Sequence, residues 1–161
     1  MNKSGINNSI RIKALLFSFI IMNSLGLISQ TNAESLKLVQ EFYSNHNGLS
    51  RSLDPSKVTN LLTDDFKKIQ FTDSVQNLEQ YKSSLDDLIE DVTLYPESIK
   101  FLKIIKTTVN IVESDYAIVI CLISPKGKEG MDVWENHTFC LKKVDDVWKI
   151  QLLYINIIDV G

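Results

Sequence analysis

Between residues 100 and 158 the apolar positions fall into four successive short-period runs. These are 100–112 (KFLKIIKTTVNIV), 116–124 (YAIVICLIS), 132–143 (DVWENHTFCLKK) and 147–158 (VWKIQLLYINII). They are rich in Val, Ile, Thr and aromatic residues, which suit a pleated, half-buried surface. The links, Glu113-Ser114-Asp115, residues 125–130 and Val144-Asp145-Asp146, have turn composition. Links this short join antiparallel neighbours, because parallel strands need a long crossover. The pattern predicts a four-strand antiparallel meander.

Upstream the period lengthens. Glu34–His46 (ESLKLVQEFYSNH) puts Leu36, Val39, Phe42 and Tyr43 on one helical stripe, and Asn47-Gly48 stops it. Asp54-Pro55 opens a short helix carrying Val58, Leu61 and Leu62, which Thr63-Asp64-Asp65 breaks. Residues 67–71 read equally as a strand or as more helix. Asp73 or Ser74 caps a third helix over Val75–Glu90, with Leu78, Tyr81, Leu85, Leu88 and Ile89 inward. Residues 92–98 read as a loop. Helices first and antiparallel strands after make an α+β domain, residues 34–161: a curved sheet of four long C-terminal strands wrapped over about three helices.

The hairpins can be put in register. Around Asp145-Asp146, Lys143 faces Trp148, Leu141 faces Ile150 and Phe139 faces Leu152. Farther out, His137 faces Tyr154 and Glu135 faces Asn156. One face is then greasy near the turn and polar away from it, as a cleft closed at its base would be. The group Glu135, His137, Tyr154 and Asn156 is the candidate ligand-binding site. Its catalytic reading makes His137 a general base poised by Glu135. Its plainer readings are a pocket mouth that orients a ligand, or groups satisfied by a covering helix. Around Ser114-Asp115 the same count sets Ile111 against Ile118, Val109 against Ile120 and Thr107 against Leu122. The opposite sheet face carries Trp134, Ile155 and Ile157, an apolar strip that a second copy could cover. His46, at a helix end, reads as solvent-exposed.

The order of elements, the LLTDDF segment closing the short helix, and the final Asp145-Asp146-Val147-Trp148-Lys149-Ile150 resemble the nuclear transport factor 2-like superfamily, including SnoaL-like proteins, over residues 35–158. The chain is more similar to its exported bacterial members of unknown function than to any of its enzymes. The resemblance implies a cone-shaped fold with a pocket, often dimeric through the outer sheet face, and no single activity.

Charge and leader narrow the function. Met1–Lys13 is cationic, 14–28 is an apolar run short for a bilayer, and 29–33 is polar and ends in Ala33. This is a signal-peptide pattern, residues 1–33, with the cut between Ala33 and Glu34 and an exported, periplasmic or secreted, product. Its removal leaves 14 basic against 20 acidic residues, which excludes a nucleic-acid partner and disfavours anionic membranes. Cys121 and Cys140 form a disulfide, or stay as two half-buried thiols, according to the register between their strands. No phosphate loop, HExxH, CxxC or GxSxG is present, so no cofactor or metal is expected. The balance favours a non-catalytic binding protein, most concretely a small inhibitor or immunity-type protein docking a protein partner. The alternatives are a binder of a small apolar ligand in the sheet–helix cleft, and an acid–base isomerase or dehydratase using His137.

Overall fold

The computed structural model describes residues 32–70, 74–94, 101–126 and 134–158. The elements are α1 (32–47), α2 (Leu49–Ser52), α3 (Ser56–Thr59), β1 (Leu62–Gln70), β2 (Val75–Asn77), α4 (Leu78–Leu94), β3 (Phe101–Glu113), β4 (Tyr116–Lys126), β5 (Trp134–Val144) and β6 (Val147–Ile158). Nearly all of the leader pattern, Asp73 and most of the 125–130 link lie outside the described residues. The four expected C-terminal strands are present, within a six-stranded sheet ordered β2-β1-β6-β5-β4-β3.

α1 forms because its apolar stripe has somewhere to go. Val39, Phe42 and Tyr43 are buried, and the Phe42 and Tyr43 rings meet Phe139 edge-on at 5.5 and 5.6 Å. The Gly48 N–H bonds the Ser44 carbonyl at 3.0 Å and ends the helix. Just ahead of α3, whose N-cap is Pro55 rather than the expected Asp54, the Asp54 carboxylate accepts from the Ser56 N–H and hydroxyl and holds the first turn. α4 starts later than expected. Val75–Asn77 pairs with β1 as a short strand, and the helix then opens on a reciprocal cap. Asn77 accepts from the Gln80 N–H, and Gln80 accepts from the Asn77 N–H.

β1 is a correction. Thr63-Asp64-Asp65 does not break a helix but lies within a strand running parallel to β6. Two bonds bring it in: the Ile150 N–H donates to Leu61 O at 2.8 Å, and the Gln151 amide donates to Asp65 at 2.7 Å.

The turns are as expected, but the registers beyond them are not. Asp145 and Asp146 have φ of 51° and 61°, the positive values a type I′ hairpin needs, and Lys143 pairs with Trp148 and Leu141 with Ile150. Then β6 shifts by one residue between Ile150 and Leu152. Phe139 therefore pairs with Leu153, His137 with Ile155 and Glu135 with Ile157. In the first hairpin a shift near Val112 pairs Ile111 with Ala117, Val109 with Val119 and Thr107 with Cys121. A further shift lies near Ile105. Each extra residue bends its strand and increases twist, which lets the sheet wrap α1.

The shifts decide which side chains face inward. Ala117, Val119, Cys121, Ile123, Phe139, Leu141, Ile150 and Leu153 are all 2 % exposed or less. Ile155, expected on the outer strip, turns into the core at 9 % exposure. Ile157 shares its side and is 49 % exposed, and Trp134 keeps the outer position. The outer face instead presents Ile118, Ile120 and Leu122 beside Cys140, Thr138 and Asn136, with Leu152, Tyr154 and Asn156 beyond.

Candidate functional site

The ends of β1, β4 and β6 and the starts of β3 and β5 gather at one end of the sheet. Glu135 and His137 stand near that end, on the inner face of β5. Cys121 and Ile155 flank His137 across the ladder. The His137 ring is 2 % exposed and held from both sides. Its Nε2 lies 2.7 Å from Glu135 Oε2, and its Nδ1 lies 2.8 Å from the Tyr43 hydroxyl on α1.

The partners set the protons. A carboxylate only accepts, so Nε2 carries a hydrogen and donates it to Glu135. Burial pushes the Tyr43 phenol far above its ordinary pKa, so it keeps its proton. In the neutral ring Nδ1 then accepts from Tyr43 O–H. The chain runs phenol to imidazole to carboxylate, the orientation in which an acid group holds one tautomer of a histidine. It spans helix and sheet across 94 residues of sequence. Sequence reasoning placed Tyr43 in the core and missed this role.

Of the four residues expected to share the site, Glu135 and His137 come together. Tyr154 and Asn156 do not. The β6 shift puts them on the outer face, opposite Thr138 and Asn136, with Tyr154 39 % exposed. Cys121 and Cys140 are both free thiols. Cys121 pairs with His137 on the buried face and Cys140 with Ile118 on the outer one, so the register keeps them apart. Burial raises the Cys121 thiol to about 11.

Two basic side chains, Lys68 and His46, complete the inner cluster. Lys68 of β1 projects from the same strand face as buried Phe66. Its Nζ sits 5.3 Å from the centre of the buried Tyr81 ring of α4. Burial lowers the Lys68 pKa, and the Glu135 charge partly opposes that. His46, read from sequence as solvent-exposed, is half-buried, with its ring 6.1 Å from Phe42 and its Nδ1 enclosed without a hydrogen-bond partner. Burial first, then Lys68 and His137, bring its pKa down to about 4, so the ring is neutral at neutral pH. The spacing Val39, Phe42, Tyr43, His46 continues the apolar stripe by one turn, and that signal could have placed His46 inward.

Two shallow grooves of about 300 and 290 Å³ lie at the other end of the sheet, where Leu62, Asp64 and Lys149 line both. Among the described residues no group of three His, Cys, Asp or Glu side chains could hold a metal ion.

No protein-family model matches the chain, and no curated protein does. Solved structures do. A protein with a cystatin-like fold from Caulobacter vibrioides superposes with a TM-score of 0.63 at 9 % identity, over 80 % of this chain and 89 % of its own. An NTF2-like protein of unknown function from Pseudomonas putida KT2440 gives 0.62 at 11 % identity, over 80 % and 87 %. A hexachlorocyclohexane dehydrochlorinase gives 0.54 at 18 % identity, over 76 % and 84 %. At these identities the likeness is one of fold alone: the chain shares the curved-sheet α+β fold of these cystatin-like and NTF2-like structures.

Proposed function

We propose that this protein binds a small organic molecule between α1 and the inner sheet face, and that Glu135, His137 and Tyr43, with Lys68 and His46, form the site. The buried Tyr43–His137–Glu135 chain carries this reading. Aliphatic side chains would fill the same positions without the cost of desolvating titratable groups, and such clusters concentrate where ligands are handled. Glu135 stands next to the sheet end where the strand termini of β1, β4, β5 and β6 meet, which makes that rim the route of entry. The expected inhibitor or immunity-type docking draws no support from the fold matches.

The test is a set of amide spectra of the labelled protein against a mixed fragment library. Shifts at Tyr43, Lys68 and His137 are expected for bound fragments. Shifts confined to the Asp64–Lys149 grooves, or to the outer sheet face, would overturn the assignment.

The chain also favours a second reading, an acid–base enzyme, as does likeness to a dehydrochlorinase. His137 has both ring nitrogens engaged, so a substrate would reach it only by displacing Tyr43 or Glu135. With its raised pKa the phenol would serve as proton donor rather than base.

Export remains part of the proposal. The expected cut after Ala33 falls in the first turn of α1. Cleavage would trim that turn and keep Ser35, which is fully buried, and the stripe beyond it. Terminal peptide mass spectrometry of the cell-derived protein would show Glu34 as the first residue, or refute the cut.

A further inference from the structure

Resting on that ligand-binding reading, the geometry points to a small carboxylate as the ligand. Its anionic end is received by Lys68 and His46, and its apolar body lies against the inner sheet face. The argument starts from donors without acceptors. Lys68 is a half-buried ammonium with its Nζ over the Tyr81 ring face and the Glu135 charge acting on it from a distance. Among the described residues no carboxylate lies within salt-bridge distance of Lys68. A ring face offsets only part of the hydration that a buried ammonium gives up. The enclosed, unpartnered Nδ1 of His46 is the second observation. Protein interiors seldom leave such an atom unpaired, so it asks for a partner the chain does not provide.

Three elements bring these groups together. On α1, His46 lies one turn beyond Phe42 and three residues beyond Tyr43, so it follows the side that meets His137 and Phe139. β1 supplies Lys68, and α4 supplies the Tyr81 ring beneath it. The carboxylate already present, Glu135, has its Oε2 taken by His137. A ligand carboxylate would give Lys68 a counter-charge in direct contact, which Glu135 does not, and accept from the His46 ring nitrogen, one oxygen for each. A neutral amide would supply acceptors but no charge. A phosphate dianion would ask for more donors than these two.

The test titrates the full chain calorimetrically with butyrate and benzoate, each beside its amide, butyramide and benzamide. The carboxylates are expected to bind saturably and the amides at least tenfold more weakly. Lys68→Met keeps an alkyl chain over Tyr81 and removes the charge. It should lose at least tenfold in carboxylate affinity, with an unliganded Tm equal to or above the parent's. Lys82→Met makes the same charge change in an exposed pair on α4 and should bind like the parent. Parent-like binding by Lys68→Met would overturn the proposal. Equal binding of acids and amides would overturn the carboxylate class and leave the ligand site standing. So would silence of all four compounds while neutral fragments still shift His137. Silence of these compounds together with every fragment would remove both.

Discussion

Tyr43→Phe deletes one oxygen atom and nothing else. The ring that meets Phe139 edge-on at 5.6 Å stays, so no cavity forms and the apolar packing is kept. What is lost is the 2.8 Å bond to His137 Nδ1, at a site where both residues are 3 % exposed or less. Water cannot readily replace the phenol there. The cost is that of a buried acceptor left unsatisfied, about 1–3 kcal/mol. In a domain of this size each kcal/mol moves the Tm by roughly 3–5 °C, so a drop of about 3–15 °C is expected. Urea unfolding of the parent, Tyr43→Phe, His137→Phe and the double variant would measure the coupling directly. The account predicts a coupling energy of about 0.5–3 kcal/mol between the two sites. A Tyr43→Phe protein within about 0.3 kcal/mol of the parent, or additive losses in the double variant, would refute the reasoning.

The β6 shift makes a paired prediction. Leu153→Ala should destabilise by about 2–5 kcal/mol in urea unfolding, because Leu153 is buried, while Tyr154→Phe on the outer face should change stability by less than about 0.5 kcal/mol. Removing the reciprocal cap with Asn77→Ala should cost about 1 kcal/mol in the same assay and shorten the protected stretch of α4 in hydrogen exchange. His46 predicts a pH dependence. Its folded pKa, about 4, lies below the unfolded value of 6.5, so the unfolded chain takes up the proton first. Its contribution is therefore fully present above pH 6.5 and is lost as pH falls toward 4, and His46→Leu should flatten that part of the stability curve. If a second copy covers the apolar part of the outer sheet face, sedimentation should show a dimer that Ile120→Lys converts to monomer, with the fold unchanged; a parent that is monomeric at all concentrations would remove the homodimer.

Much of this fold was legible because its turns and helix caps are local. Asp145-Asp146 and Ser114-Asp115 sit where their composition puts them, and the pairs next to the final turn follow. The register farther out was not legible in β4, since Ala117, Val119, Cys121 and Ile123 on one face and Ile118, Ile120 and Leu122 on the other are equally apolar. Period two identifies a strand there without saying which side is in. β6 did carry a signal: its apolar positions change from even, Trp148 and Ile150, to odd, Leu153 and Ile155, with Tyr154 and Asn156 between. An unbroken alternation across that change misplaces two of the site's four residues, Tyr154 and Asn156. β1 was hidden for another reason. Thr63-Asp64-Asp65 has turn chemistry locally and becomes strand through partners in β6, some 87 residues away. Tyr43 and Lys68 could not be joined to His137 from sequence, because nothing short of the fold brings them together.

The protons on the His137 ring test the central claim most directly. Long-range nitrogen–proton correlation spectra of the labelled protein at neutral pH report whether each ring nitrogen is protonated. The carboxylate–imidazole–phenol chain predicts hydrogen on Nε2, a bare Nδ1 whenever the ring is neutral, and a signal that changes when Tyr43 becomes Phe. A ring protonated on Nδ1 alone, or one that averages both tautomers as a solvent-exposed histidine does, would contradict it.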